Sequence, residues 1–292
     1  MISIILYYAV IYPISRLPYF LLYRLSDLAY YVLFYLVGYR KKVVYSNLNN
    51  SFPNKSKTEI KLIAKLFYKH LADLVVESIK NFSISESDLK KRVVYKNPEL
   101  LIPYFEEGKD VIIIGGHYNN WESVATAGPL YNKHLVAGIH KPLSNKFLNK
   151  KISNSREKFG MVLVPIDETT EFIKWKSARP KMTIFATDQS PSNPEKAYWT
   201  TFLNQETGVH FGTEKFAKEL ELPVFYTKIT KVKRGFYEVH FTLIEPANPD
   251  EYIYGELTEQ HTKVLEKNIL ALPQYWLWTH KRWKKKKPVK AV

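Results

Sequence analysis

Cysteine is absent from all 292 residues, and methionine appears only three times. The missing thiol excludes disulfides, thiolate zinc sites and a cysteine nucleophile, and says little about redox compartment. There is no G-x-S-x-G elbow and no H-E-x-x-H pair, so neither a serine-hydrolase turn nor a zincin helix is written into the chain. No other histidine stands at ligand spacing, and no metal site is expected. Long uncharged runs are missing too. The run at the N-terminus, residues 1–15, falls short of the roughly 20 residues that cross a bilayer. Acidic residues are scarce: 28 Asp+Glu face 43 Lys+Arg, a net charge of +15. That excess calls for a polyanionic partner, whether nucleic acid, an anionic membrane, or an acidic protein or substrate. Aromatic residues make up 15% of the chain, with 21 tyrosines, which suits membrane-interface contact as well as base stacking. The basic residues and tyrosines are scattered, without an RNA-binding or helix-turn-helix signature, so nucleic acid is not an expected partner.

What the chain does have begins with MISIILYYAVIYPISRLPYFLLYRLSDLAYYVLFYLVG. Pro13, Pro18, Arg16, Arg24 and Asp27 interrupt it, and the absence of a small-residue cleavage site and a basic leader argues against a signal peptide. Residues 1–38 read as a hydrophobic segment, either packed on the domain or lying in a membrane interface. The second reading puts tyrosines at headgroup depth and Arg40, Lys41 and Lys42 on the anionic side. Residues 39–292 read as one further domain. It ends in a basic tail, 281–292, with seven Lys or Arg among twelve residues, expected either as a solvated mobile end or, with Trp283, as a clamp on anionic phospholipid.

Residues 56–81 carry a capping-box pattern, Ser56 and Glu59, ahead of apolar residues at helical spacing: Ile60, Ile63, Phe67, Leu71, Leu74 and Ile79. This is a helix facing the core. From about residue 95 short apolar runs alternate with helical stretches. Strands are expected at 111–115, 135–139, 161–165, 182–187, 223–229 and 236–244, and helices near 119–130, 145–159, 168–178, 213–221 and 256–271. The fold class is therefore α/β, a single layered domain whose central mixed, largely parallel sheet is flanked by helices.

The chemistry gathers at VIIIGGHYNNWES, residues 111–123. A strand ends at two glycines that permit a sharp turn and a close approach. His117 then falls on the loop at the strand's carboxyl end, where open α/β sheets hold ligands. Glu122, about one helical turn on, is within reach of the imidazole. A carboxylate beside a histidine fixes its tautomer and stabilises the imidazolium formed when it takes a proton. With no protein nucleophile, such a pair suits direct activation of a substrate hydroxyl. The spacing alone equally allows an ordinary corner histidine.

GGHYNNWE resembles the H-x4-D/E motif of the lysophospholipid and lipid A acyltransferase superfamily, in the late-acyltransferase branch of lipid A synthesis. Four other segments resemble the same branch, in order: GYRKKVVYSNLNNSFPNKSKTE (38–59), ATDQS (186–190), FGTEKFAKELELPVF (211–225) and PQYWLWTHKRWKKKKP (273–288). The resemblance implies a glycerolipid-acyltransferase-like fold on the cytoplasmic face of a bacterial inner membrane. It implies no metal, no cofactor and no covalent enzyme intermediate. His117 becomes the base that deprotonates an acceptor hydroxyl, and Glu122 orients it. The hydroxyl, most simply of a lipid A precursor, attacks a fatty acyl thioester. The usual donor is acyl carrier protein, whose acidity gives the basic surface a second explanation. Substrate-binding roles are expected for Arg156, Asp188, Gln189 and Thr213, with phosphate a natural ligand of arginine and of a helix amide end. Thr213, which opens that helix with Lys215, is equally readable as its N-cap. Lys141 is placed with them, although His140 and Lys141 stand where the branch more usually has tyrosine and arginine. Acylation of another membrane lipid, such as an aminolipid, a sulfonolipid or a polyene-type pigment, uses the same motif. A non-catalytic membrane or nucleic-acid binder is the reading from a different class.

Overall fold

The computed structural model describes residues 1–247, 251 and 253–288. The last four residues of the basic tail lie outside the described residues. The chain opens with helices α1 (Ile2–Leu6), α2 (Tyr12–Arg16) and α3 (Tyr19–Tyr31), with π-helical turns at Tyr7–Ile11 and Val32–Leu36. There follow α4 (Lys41–Ser51), α5 (Lys57–Lys80), α6 (Glu86–Arg92), β1 (Val93–Tyr95) and α7 (Ile102–Glu106). The alternating part comprises β2 (Val111–Gly115), α8 (Trp121–Ala127), β3 (Leu135–His140), α9 (Lys146–Glu157), β4 (Val162–Pro165), α10 (Thr169–Lys174) and β5 (Lys181–Ala186). A hairpin of β6 (Ala197–Phe202) and β7 (Gln205–His210) precedes α11 (Gly212–Glu219), β8 (Val224–Lys233), β9 (Phe236–Ile244) and α12 (Glu256–Ala271).

Seven strands form one sheet in the order β1-β9-β8-β2-β5-β3-β4. Every pairing in it is parallel except β8 with β9. The fold is thus α/β with a mixed, mostly parallel central sheet. Strand β2 runs through the middle, and its alternation divides the core. Ile112 and Ile114 belong to a cluster with Phe67, Tyr68, Leu265, Trp276 and Trp278, and Val111 and Ile113 to another with Val124, Phe225 and Val239. A strand buried on both faces reads as a continuous apolar run, as VIIIG does.

Helix α5 forms as its sequence predicts. Ser56 Oγ accepts the Glu59 amide at 3.3 Å, and Glu59 Oε2 accepts the Ser56 amide at 2.8 Å. Ile60, Ile63, Phe67 and Leu74 are buried along it. Polar residues share this inward side with them. His70, Asp73 and Glu77 are all buried, because α5 packs against α3 and the β8–β9 hairpin through hydrogen bonds. Asp73 accepts Ser26 Oγ at 2.7 Å and forms an ion pair with Arg234 at 2.6 Å, and Arg234 also holds Asp27 at 2.7 Å.

The N-terminal helices leave many large apolar residues on their outer side. On α3, Leu22 and Ser26 are buried, whereas Phe20 is 68% and Leu28 61% exposed. Ile2, Ile5, Tyr8, Tyr31, Leu36 and Val37 are also exposed. Among the described residues no single helix is long and apolar enough to cross a membrane, although Tyr19–Leu36 with Lys41–Ser51, bent by 85°, would pass by length and composition as a pair.

The start of the basic tail departs from both readings of its sequence. Arg282 is buried and donates to the Gly208 carbonyl at 2.7 Å, and the Trp283 indole donates to Thr207 Oγ1 at 2.7 Å. Both are tied to β7, so neither is a mobile end or a free anchor, while Lys284–Lys287 are exposed. The β6–β7 hairpin was not legible in the sequence. Its two turn residues, Leu203 and Asn204, both have positive φ (51° and 59°), and no glycine marks the turn. Removing the α5 cap by Ser56→Ala should lower stability by about 1 kcal/mol, measured as a shift of the urea midpoint with unchanged slope.

Candidate active site

Strands β2 and β5 are parallel neighbours with Gly115 opposite Ala186. Each chain leaves its strand at the same edge, and the Thr187 amide still reaches the Gly115 carbonyl at 3.2 Å. Two residues past each strand stand His117 and Asp188. The imidazole Nδ1 lies 2.7 Å from Asp188 Oδ1, and the His117 amide donates to Oδ2 at 2.8 Å. Gly116 makes this approach possible. A Cβ there would lie 2.9 Å from Leu265 Cδ2 and 3.3 Å from the Asp188 carboxyl carbon.

Asp188 is buried, its side chain only 2% exposed. Such a carboxylate must be fully hydrogen-bonded to remain charged. The third donor is the Trp276 indole, at 2.8 Å from Oδ2. Burial pushes the Asp188 carboxyl up, but the facing imidazole and these donors outweigh it and hold it well below the usual carboxylate range. For His117, burial is the largest effect and disfavours the charge. The attraction and hydrogen bond of Asp188, then the field of Glu122, overcome it and raise the imidazole above its ordinary value, against opposition from Arg156. With Nδ1–H donated to Asp188, Nε2 is left as the acceptor. It faces the side chain of Gln189, whose Nε2 is 3.1 Å away, and the ring packs edge-on against Trp121 at 5.0 Å.

The orienting contact expected of Glu122 is therefore made by Asp188. Glu122 makes no hydrogen bond to His117. Arg156, at the end of α9, takes both its oxygens, Nε to Oε2 at 2.8 Å and Nη2 to Oε1 at 2.5 Å. A guanidinium matches a carboxylate in this paired geometry better than an imidazole does. Glu122 still acts on His117 through space. Of the other sequence candidates, Gln189 joins the cluster, and Arg156 reaches it through Glu122. Thr213 and Lys141 make no hydrogen bond to it. Thr213 is buried in the first turn of α11, whose N-cap is Phe211. Thr213 is thus not the cap. Lys141 is exposed on the loop after β3.

The loop from His117 to Asn120 is held on several sides. Tyr118 bridges to Trp276, the Asn119 amide donates to the Tyr275 carbonyl at 2.9 Å, and the Leu277 amide to the His117 carbonyl at 3.1 Å. Asn119 takes a left-handed conformation (φ 56°) and donates Nδ2 to the Ile229 carbonyl at 2.8 Å. Asn47 of α4 holds the Trp278 and His280 carbonyls at 2.9 and 3.0 Å. The YWLW segment and the α4 signature thus pack together behind the histidine. Sequence reasoning missed Trp276 as a site residue. Its signal was faint: a buried indole needs an acceptor for its N–H.

The electrostatics make a signed prediction. In the intact protein the His117 imidazole should titrate above its ordinary value, followed by NMR of the ring protons. Asp188→Asn removes the principal attraction and leaves burial, so the same titration should move to lower pH. A midpoint that stays put would show that Asp188 does not govern this histidine.

A search of curated proteins found no match to the chain. A family profile did match: residues 1–285 fit that of the bacterial lipid A biosynthesis acyltransferases. It spans nearly the whole chain, including the His117 loop, the Asp188 turn and the Trp276 segment, and the chain belongs to that family.

Proposed function

We propose that this acyltransferase moves a fatty acyl chain from an acyl thioester, supplied by acyl carrier protein, to a hydroxyl of a lipid A precursor at the cytoplasmic face of the inner membrane. The observation that supports the catalytic reading is the His117 imidazole, with Nδ1 engaged by Asp188 and Nε2 facing Gln189 alone. In this reading Nε2 displaces the Gln189 contact and takes the proton of the acceptor hydroxyl. The oxygen attacks the thioester carbonyl carbon, and the tetrahedral intermediate collapses with cleavage of the C–S bond. The proton on Nε2 passes to the departing sulfur, leaving an ester and a free thiol. Asp188 fixes the tautomer, and Glu122 stabilises the imidazolium through space while Arg156 holds it in place. Gln189 lies where it can contact the reacting oxygen. Thr213 and Lys141 enter only as candidates for more distant substrate contacts.

The membrane reading is supported by the exposed apolar residues of the N-terminal helices. Burying an exposed Leu, Ile or Phe is worth about 1.5–3 kcal/mol, and a cluster of them in water is unusual for a monomer. Arg40, Lys41 and Lys42 stand just beyond, and an anionic headgroup layer suits them. Acidic acyl carrier protein suits the net charge of +15.

Purified protein supplied with labelled acyl-acyl carrier protein and extracted lipid acceptors tests the chemistry. His117→Ala should lower transfer by about 10²–10⁴-fold with the fold intact, and mass spectrometry of the product identifies the acceptor. Undiminished transfer in that variant would sink the catalytic reading. The membrane reading has its own check. Replacing Phe20 and Leu28 together by Asp should strongly reduce co-sedimentation with phosphatidylglycerol-containing vesicles without altering the circular dichroism spectrum.

A further inference from the structure

Helix α5 carries a carboxylate that the mechanism above does not use. Glu77 is 4% exposed and is met by three donors. Asn120 Nδ2 lies 2.6 Å from Oε2, the Tyr237 hydroxyl 2.8 Å from Oε2, and the Tyr23 hydroxyl 2.9 Å from Oε1. A buried carboxylate is costly unless its lone pairs are engaged, and here they are engaged by groups from three different elements. Tyr23 belongs to α3 and Tyr237 to β9, while Asn120 belongs to the loop that bears the histidine.

Asn120 is the hinge of that loop. Its own Oδ1 accepts the Ser123 amide at 2.9 Å and so caps α8. It stands three residues after His117 and two before Glu122, directly beside Trp121, whose ring packs on the imidazole. With Oδ1 committed to the cap, the Nδ2 group has one orientation, towards Glu77. The rotation of Asn120, and with it the path of the chain from His117 to Glu122, is thus set by a carboxylate on a 24-residue helix. A carboxylate accepts from all its neighbours without a choice of orientation, which a hydroxyl or an amide in its place would have.

We propose that Glu77 is a positioning residue for acyl transfer, acting through Asn120 to hold His117 and Glu122 in their working arrangement. This rests on the acyl-transfer reading, and the test separates the two. Asn120→Asp keeps a capping oxygen for α8 but removes the donor and sets two carboxylates against each other. Its kcat for transfer from acyl-acyl carrier protein should fall by about tenfold or more, roughly 1.4 kcal/mol in the barrier, with KM for the donor nearly unchanged. Adding Glu77→Gln to that variant returns a donor from the opposite side and should bring kcat back towards wild type.

Should Asn120→Asp fail to fold, Asn120→Ser, a neutral cap too short to reach Glu77, carries the same expectation of a kcat loss. A purely structural role predicts lower thermal midpoints with normal kcat per folded enzyme, and that result overturns the proposal. So does a double variant no faster than Asn120→Asp alone. Wild-type protein without transfer, or His117→Ala with full transfer, defeats the acyl-transfer reading itself. Loss in His117→Ala beside normal kcat in a folded Asn120 variant defeats only the role of Glu77.

Discussion

The site is organised around one buried charge. Asp188 sits in the interior as a carboxylate, and its desolvation has to be offset by groups held at hydrogen-bond distance. Three elements provide them: the loop after β2 gives an amide and an imidazole, and the C-terminal segment gives the Trp276 indole. Each donor also has a structural consequence. The His117 amide fixes the backbone turn, the imidazole fixes the tautomer, and the indole brings the YWLW segment close enough to bridge Tyr118. Removing the carboxylate would leave all three donors without an acceptor, so its effect should spread well beyond the histidine.

Two carboxylates near one imidazole have been given different tasks by their surroundings. Asp188 is buried, and among the described residues its hydrogen-bond partners are His117 and Trp276. Glu122 is about a quarter exposed and is bound by Arg156 through both oxygens. The guanidinium neutralises Glu122 locally and keeps it from competing for Nδ1, while its remaining field still favours the charged imidazole. The result is a histidine with one orientation and a raised proton affinity, arranged without a protein nucleophile.

Much of this was legible in the residues. Strands 111–115 and 236–244 and the helix over 256–271 read correctly, because their periodicity or continuous burial leaves few alternatives. The position of His117 at a strand end followed from VIIIGG. The partner did not. Glu122 is near in sequence, whereas Asp188 is 71 residues away and comes into contact only through the register of β2 on β5. Local spacing carries no record of register between distant strands. The hairpin was missed because Leu203 and Asn204 adopt positive φ without glycine. The carboxylates of α5 were missed for another reason: they lie on the face that amphipathic periodicity assigns to apolar residues, and only the donors opposite them explain why they are tolerated.

Those donors also bear on the N-terminal helices. In a water-exposed helix the apolar face turns inward and the polar face outward. Helix α3 buries Leu22 but also sends Tyr23 and Ser26 inward to Glu77 and Asp73, while Phe20 and Leu28 face out. Apolar contact alone would let such a helix slide or detach, since any apolar neighbour serves equally well. Hydrogen bonds to buried carboxylates do not, because displacement by a few ångströms strands a charge. The polar interior therefore fixes the register of α3 on α5 and leaves its outer face free to meet a non-aqueous surface. One of the two carboxylates that hold it, Glu77, also holds Asn120, so the apolar exterior and the histidine loop are referenced to the same helix.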